Sequence, residues 1–216
     1  MYIRYGFRGR PRPSQPQAGD IVSVRNSLLA ILTMGPAYGF QLHGELATRT
    51  AGRRTVNVGQ IYSTLERLVR QGSVEAAGST EDGLPLYRLT GGGHAEALAW
   101  LRETDSDSGA DWTDMLDRVL IASSLPHVDL APLLAGYRSA WQLRLNRGGD
   151  ASGRPWESGQ ERLATEAQLV QARAALAWLD TVAAVADRPP AEEEPGLHRQ
   201  LSLQRPKRGR RPGTSS

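Results

Sequence analysis

Apolar residues recur every three or four positions in several parts of the chain, which is the spacing of one face of an α-helix. The first such stretch runs from about Val22 to Met34 and ends at Gly35-Pro36, a pair that stops a helix. A second stretch, after the turn sequence GPAYG, runs from about Phe40 to Thr48. The pattern therefore predicts two consecutive helices, followed by the basic loop TAGRR.

A third helix is predicted from Val56 to Gly72, and the sequence marks both of its ends. Asn57 is a favourable N-cap with Gln60 as its capping-box partner, and Gly72 is a favourable C-terminal stop. Apolar residues fall on one face of this helix, whereas the opposite face is polar and basic. The polar face comprises Gln60, Ser63, Thr64, Arg67 and Arg70.

Two short extended segments follow the third helix. SVEAA and PLYRLT are separated by STEDGL, whose Asp82-Gly83 pair favours a hairpin turn. Thr90 is then a favourable cap for a fourth helix that ends near Ser106. The order of helix, helix, basic loop, polar-faced helix and hairpin is that of a winged helix-turn-helix.

The remaining apolar periodicity lies in two further helical regions. One runs from Trp112 to Arg147 with an interruption at Pro126, and a loop is predicted over NRGGDASGRPWESG. The last helix runs from about Gln160 to Ala186 and carries an apolar stripe that includes Leu169, Leu176 and Leu179. The stripe needs a partner helix. Its spacing leaves open whether that helix belongs to a second copy of the chain or to the same chain.

Positive charge is concentrated in one part of the folded region. The chain carries a formal net charge of +3, but between Arg49 and Gly72 there are five arginines and a single glutamate. A local basic patch of this kind favours contact with a polyanion such as DNA.

The composition argues against other classes of function. The four histidines are dispersed without metal-ligand spacing, there is no cysteine, and neither a P-loop nor a serine nucleophile elbow is present. No catalytic residue, metal or cofactor is therefore predicted. No apolar run approaches the roughly 20 residues of a membrane helix, so we expect a soluble cytoplasmic protein without a membrane partner.

The polar face of the third helix has side chains suited to reading DNA. The major groove accepts one α-helix, and Gln and Arg pair well with adenine and guanine respectively. The residues assigned to base edges are Gln60, Ser63, Thr64 and Arg67. Arg53, Arg54 and Tyr62 are assigned to phosphates. The other residues predicted to bind DNA are Tyr38, Asn57 and the wing residue Arg88.

Three blocks of the sequence resemble, in order and spacing, the signature of PadR-like transcriptional regulators. They are LLAILTMGPAYGFQL at residues 28–42, VGQIYSTLERLVRQGSV at residues 58–74 and LYRLTGGGHAEAL at residues 86–98. The resemblance implies a winged-helix repressor that forms a homodimer through its C-terminal helices. It also implies a palindromic operator on double-stranded DNA and release by a small hydrophobic or aromatic effector.

Four segments are predicted within a mainly α fold. Residues 21–104 form a winged helix-turn-helix DNA-binding domain with a small β-hairpin wing, and residues 111–187 form a C-terminal helical dimerisation and effector region. Residues 1–20 and 188–216 are rich in Gly, Pro and charged side chains, and we expect both to be disordered tails.

Tryptophans are the candidate contacts for an effector. The resemblance is compatible with an aromatic-lined cavity near a dimer interface, and the candidates are Trp100, Trp112, Trp141 and Trp178. Ordinary packing in a core or an interface is the alternative for each of them. An alternative function also stays open, namely a winged-helix architectural or protein-interaction module that binds DNA non-specifically through its basic tails.

Overall fold

The computed structural model describes residues 18–102, 104, 112–152, 158–188 and 196–202. This part of the chain is mainly helical, with one small three-stranded sheet. In chain order the elements are α1 (Ala18–Leu32), β1 (Ala37–Tyr38), α2 (Gly39–Arg49), α3 (Val58–Arg70), β2 (Val74–Ser79), β3 (Pro85–Leu89), α4 (Gly91–Arg102), α5 (Trp112–Ser123), α6 (Leu130–Ser152) and α7 (Gly159–Ala186). The predicted helices and both strands of the predicted hairpin are present, and the fold is a winged helix-turn-helix followed by C-terminal helices.

The helix-turn-helix pair α2 and α3 packs on an apolar core that it shares with α1. Side chains at helical spacing on α1, α2 and α3 are fully buried in it, namely Leu28, Leu29, Ile31, Leu42, Leu46, Ile61, Leu65 and Leu68. Burying a side chain of this size contributes about 1.5 to 3 kcal/mol. Because one face of α3 is committed to this core, its polar face is turned away from it.

The sheet contains a strand that the sequence analysis missed. β1 pairs antiparallel with β3, with Ala37 opposite Tyr87 and Tyr38 opposite Leu86, and the strand order is β1-β3-β2. The sequence GPAYG had been predicted only as a turn. A strand of two residues is too short to show the alternating pattern that identifies strands, and its pairing with β3 is a tertiary contact.

Helix α6 extends further than predicted. The predicted loop NRGGDASGRPWESG begins at Asn146, yet α6 continues to Ser152. A Cβ added at Gly148 would lie 2.7 Å from Cδ2 of Leu169, so this glycine allows α6 and α7 to approach closely and does not end a helix. The loop prediction was therefore wrong for residues 146–152, and its residues 153–157 lie outside the described part of the chain.

The apolar stripe of α7 packs mainly against α6 of the same chain. Leu169, Ala172, Ala175 and Leu179 are buried there. Of the two partners that the sequence left open, the chain's own α6 therefore covers most of this stripe.

Helix α7 also has the length and composition of a membrane-spanning helix, with a mean hydropathy of 1.3 over an 18-residue window. The sequence analysis had expected no such segment. Only 22% of that window is buried, and a single helix identified by length and composition alone is weak evidence for a membrane location.

A short C-terminal segment, residues 196–202, lies against α2, although a disordered tail had been expected there. The main-chain N–H of Arg199 donates to the carbonyl oxygen of Ser124 at 3.0 Å, and Leu201 packs against the core. At the other end of the chain, α1 already begins at Ala18. The rest of the two predicted tails, residues 1–17, 189–195 and 203–216, lies outside the described part of the chain.

Candidate nucleic-acid interface

Both ends of α3 are set by residues that the sequence singled out. The side-chain Oδ1 of Asn57 accepts a hydrogen bond from the Gln60 N–H at 2.7 Å and so caps the first turn. At the other end Gly72 adopts a φ of +74°, and the N–H groups of Gly72 and Ser73 donate to the carbonyl oxygens of Val69 and Leu68. This is a Schellman C-cap, in which glycine takes the left-handed conformation without strain. The two caps fix the length of α3.

The polar face of α3 divides into exposed and shielded side chains. Ser63 and Arg70 are exposed, whereas Gln60 and Arg67 are half-buried. Thr64 is only 2% exposed, and its hydroxyl accepts a hydrogen bond from Nη2 of Arg67 at 3.4 Å. In this arrangement Thr64 orients Arg67 and has little surface for a ligand.

The two candidate tyrosines lie on either side of Gly39, at the N-terminus of α2. Tyr38 is 7% exposed in β1. Tyr62 of α3 is half-buried, and a Cβ added at Gly39 would lie 2.6 Å from its Cε1. Glycine at this position therefore lets the N-terminus of α2 sit directly against α3. Tyr62 keeps partial access to solvent there, whereas Tyr38 is mostly enclosed.

The basic loop between α2 and α3 is tied to α5 by ion pairs. Nε of Arg54 donates to the carboxylate of Asp117, and Nη2 of Arg54 lies 3.5 Å from Oδ1 of Asp114. Nε of Arg53 lies 3.5 Å from Oδ1 of Asp117. The Asp117 side chain is fully buried, that of Arg54 is 12% exposed and that of Arg53 is 40% exposed. Arg54 is thus engaged by the protein itself, while Arg53 retains access to solvent.

In the wing, Arg88 of β3 pairs with Glu75 of β2. Nε of Arg88 lies 2.7 Å from Oε1 of Glu75, and the two side chains are 57% and 48% exposed. An exposed pair of this kind contributes at most about 1 kcal/mol, so a DNA phosphate can compete for the guanidinium. The turn at the tip of the wing carries Glu81 and Asp82. The positive charge of the wing therefore lies on its strands and not at its tip.

A polar network connects α1, α4 and the C-terminal end of α3. Arg25 forms an ion pair with Glu96 and also donates from Nε to Oε1 of Gln71 at 3.3 Å. Ser73 donates from Oγ to Glu96 Oε2 at 3.1 Å. The hydrogen bond from Arg25, aided by that from Ser73, holds the pKa of the Glu96 carboxyl below its ordinary value of 4.5 in spite of partial burial. This network positions the end of α3 relative to the helices behind it.

Three of the four candidate tryptophans are engaged in packing around α5. Trp112 of α5 and Trp178 of α7 meet edge to face, with ring centroids 5.8 Å apart. The guanidinium carbon of Arg118 lies 4.9 Å from the ring centroid of Trp100, on α4. Burial raises the pKa of the neighbouring Tyr137 to about 12, so its hydroxyl stays protonated. These contacts are those of a folded helical core, and they bring the tryptophans close to one helix.

The fourth tryptophan, Trp141, borders an open cleft between α6 and α7. Its ring is 2% exposed, and its Nε1 donates to Sδ of Met115 at 2.9 Å. The guanidinium carbon of Arg144 lies 4.4 Å from the centroid of the same ring. The cleft has a volume of roughly 430 Å³, and Arg147 and Gln168 also line it. Because Trp141 is almost fully enclosed, the accessible lining of the cleft consists mainly of polar residues, including Arg144 and Arg147 with their guanidinium groups.

The three candidate dimerisation leucines differ in accessibility. Leu169 and Leu179 are 5% and 0% exposed within the single chain. Leu176 is half-buried beside a shallow groove that Leu143 also lines. The large apolar side chains left exposed on α6 and α7 include Leu143 (45%), Leu163 (68%), Val170 (60%) and Val185 (43%). Exposed apolar side chains are thus present on α6 and α7 in addition to the predicted stripe.

Sequence reasoning missed the docked segment of residues 196–202 entirely. The available signal was Leu201, which packs against the core, and Leu197, which stays 39% exposed, in an otherwise polar stretch. Two residues are too few to distinguish a docking contact from chance.

The comparisons with known proteins concern mainly the winged helix-turn-helix. The sequence profile of the Transcriptional regulator PadR-like family matches residues 28–99, which run from α1 through the wing into α4. No curated protein sequence gives a significant match.

The solved structures to which the chain is similar include three regulators. A transcriptional regulator from Clostridium thermocellum is 21% identical, with 39% of this chain and 82% of that chain covered at a TM-score of 0.35. Bacillus subtilis PadR in complex with operator DNA is 17% identical, with 76% and 99% covered at a TM-score of 0.36. The same protein in complex with p-coumaric acid is 17% identical, with 78% and 98% covered at a TM-score of 0.35. At these identities and TM-scores the likenesses say nothing about what this chain binds, and the family assignment depends on the profile match. Residues 28–99, which form most of the winged helix-turn-helix, therefore resemble the Transcriptional regulator PadR-like family.

Proposed function

We propose that this chain is a sequence-specific transcriptional repressor that binds a palindromic operator as a homodimer and is released by a small-molecule effector. In this proposal residues 21–104 bind DNA, and residues 111–187 pair the two copies and take the effector. The observation that carries it is the outward face of α3, where Ser63 is exposed and Gln60 and Arg67 are half-buried, opposite a face that is fully buried. A cytoplasmic location accompanies this role.

The proposed base contacts are Gln60, Ser63 and Arg67. Arg reads guanine and Gln reads adenine in the major groove, each through paired hydrogen bonds. The hydrogen bond between Arg67 and Thr64 limits the conformations of the guanidinium before DNA binds, which lowers the entropy lost on binding. Thr64 therefore acts in the proposal through Arg67.

The proposed phosphate contacts are Arg53, Tyr62 and Arg88, each of which retains access to solvent. Phosphate contacts supply affinity and register but carry no direct sequence information. Arg54, Asn57 and Tyr38 contribute indirectly, by fixing the loop, the first turn of α3 and the neighbouring strand.

The proposed homodimer uses the exposed apolar side chains of α6 and α7. Leu143, Leu163 and Val170 are between 45% and 68% exposed, and covering such residues is favourable. A two-fold dimer would place its two copies of α3 about 34 to 36 Å apart, which is the length of one turn of DNA.

The proposed effector site is the cleft beside Trp141. The two guanidinium groups of Arg144 and Arg147 suit a small molecule that carries a negative charge. Such a molecule releases the operator only if it binds a dimer geometry that DNA does not select.

Footprinting on DNA upstream of the chain's own gene tests the proposed function. A discrete protected site with two-fold symmetry supports it, with light scattering reporting a dimer at the same protein concentration. Uniform binding along the fragment, lost when residues 1–17 and 203–216 are removed, contradicts it and favours the architectural alternative.

A further inference from the structure

The C-terminal segment of residues 196–202 crosses α2 along a defined path. The carbonyl oxygen of Arg199 accepts a hydrogen bond from Nη2 of Arg49 at 3.0 Å, near the C-terminal end of α2. Further along, the Ser202 N–H donates to Oε1 of Glu45 at 2.6 Å, and the Ser202 carbonyl accepts from Nε2 of Gln41 at 2.7 Å. The segment therefore runs antiparallel to α2 and towards its N-terminus.

The surface that receives this segment is a buried charged pair. Nε of Arg49 donates to Oε2 of Glu45 at 2.9 Å, and the two side chains are 0% and 5% exposed. Arg49 also donates from Nη1 to the carbonyl oxygen of Ser124 at 3.0 Å. The remaining guanidinium nitrogen, Nη2, and the second carboxylate oxygen, Oε1, are both bound by main-chain groups of the segment. Leaving such buried polar groups without partners is costly, so α2 holds a site for a peptide backbone.

The path of the segment leads to the end of α2 that touches α3. Gln41 lies in the first turn of α2, two residues after Gly39, and Gly39 sits against the ring of Tyr62. Tyr62 lies on α3, among the proposed DNA contacts. Ser202, the last residue of the docked segment, therefore lies near the end of α2 that contacts α3.

The residues that follow Ser202 are strongly basic. Residues 203–216 contain Arg205, Lys207, Arg208, Arg210 and Arg211 and no acidic residue. An extended chain spans up to about 3.6 Å per residue, and the major groove of DNA is about 12 Å wide. Residues 203–216 are therefore long enough to cross the groove.

We infer that the Glu45–Arg49 site of α2 anchors the C-terminal segment so that residues 203–216 bind phosphates of the same DNA duplex, next to the contacts of α3. This inference rests on the proposed function. Anchoring limits the volume in which the basic residues move, so it raises their effective concentration at the duplex. The logarithm of the binding constant falls linearly with the logarithm of the salt concentration, and we call the steepness of this line the salt slope. Each phosphate that the basic residues neutralise adds about 0.9 to the salt slope.

The test measures binding of the full-length chain to a labelled random-sequence duplex and to the footprinted fragment, over a range of salt concentrations. Ser202→Pro removes the N–H that Glu45 accepts, and Ser202→Ala is its control because it keeps that N–H. A third variant replaces Arg205, Lys207, Arg208, Arg210 and Arg211 by Gln. Hydrogen exchange of residues 196–202 reports docking separately, and circular dichroism confirms that each variant is folded.

The neutralised variant is expected to bind both duplexes about tenfold or more weakly, with a salt slope smaller by about 2 or more. Ser202→Pro is expected to lose exchange protection at residues 196–202 and to reduce the slope by about 1 or more, whereas Ser202→Ala matches the wild type. An unchanged slope for the neutralised variant overturns the inference. So does wild-type binding by Ser202→Pro after its segment has undocked, or rapid exchange of residues 196–202 in the wild type.

Failure of the proposed function has a different signature. In that case Arg53→Ala and Arg67→Ala bind the footprinted fragment as tightly as the wild type, whatever the C-terminal variants do. If those two variants weaken binding while the neutralised variant does not, only the anchoring inference fails.

Discussion

Arg54 of the basic loop and Asp117 of α5 form an ion pair that joins the winged helix-turn-helix to the C-terminal helices. The carboxylate is fully buried, and Arg53 approaches the same group at 3.5 Å. A residue of α5 thus holds the loop that leads into α3. Movement of α5 would displace this loop, which gives the C-terminal region a direct connection to the proposed DNA-binding surface.

Asp117→Asn is expected to lower the free energy of unfolding by about 3 kcal/mol, because it removes the buried carboxylate that pairs with Arg54 and leaves Arg54 with the half-exposed carboxylate of Asp114. Urea denaturation followed by circular dichroism measures this. The control is Asp180→Asn, which removes an exposed pair with Arg138 and is expected to cost less than about 1 kcal/mol. Equal effects of the two substitutions would contradict the importance assigned to the buried pair.

Gly93→Ala is expected to destabilise the junction of α4 and β2 by at least about 2 kcal/mol. The new Cβ would lie 1.8 Å from the carbonyl oxygen of Ser73, a backbone atom that cannot rotate away. Gly91→Ala is the matched control, because nothing lies within 4 Å of its added Cβ. Thermal denaturation of both variants checks the prediction, and similar melting temperatures would refute it.

Arg67→Ala is expected to change sequence preference, with a loss of about 1 to 3 kcal/mol on the operator and little loss on random DNA. Arg53→Ala is expected to weaken binding to both by the same factor and to reduce the salt slope by about 1. Fluorescence anisotropy titrations with the two duplexes separate these effects. Equal losses on operator and random DNA for Arg67→Ala would remove it from the base-reading set.

Acidification is expected to weaken the Arg25–Glu96 connection. The pKa of Glu96 is lowered in the folded state, so its contribution to stability is present above the ordinary value of 4.5 and is lost as pH falls through the lower, folded pKa. Both side chains are partly exposed, so the contribution is at most about 1 kcal/mol. Urea titrations below pH 4.5 should show a smaller loss of stability for Glu96→Gln than for the wild type. Identical pH profiles of the two proteins would show that the Arg25–Glu96 pair does not contribute measurably to the free energy of unfolding.

Replacing both Leu163 and Val170 by Glu is expected to convert the proposed dimer to a monomer, because the substitutions place charge on apolar positions of the proposed interface. Gln160→Glu, at an exposed polar position of the same helix, adds charge without removing apolar area and serves as the control. Light scattering after size exclusion measures the mass. A dimer that persists in the double variant would place the interface elsewhere.

The amino-acid sequence by itself determined which segments are helices and which face of each is buried. The ends of α3 at Asn57 and Gly72, the wing and the limits of α7 were all predictable, since caps, turns and apolar periodicity act between residues a few positions apart. The polar face of α3 was predictable for the same reason.

Only the tertiary structure decided which of the predicted side chains are accessible. Thr64 is enclosed, Arg54 is paired with Asp117 across 63 residues, and Arg49 is bound to Arg199 across 150 residues. The two-residue strand β1, the continuation of α6 past Gly148 and the docking of residues 196–202 also depend on such distant partners. A local pattern does not encode them, because their energy comes from groups that become neighbours only when the chain has folded.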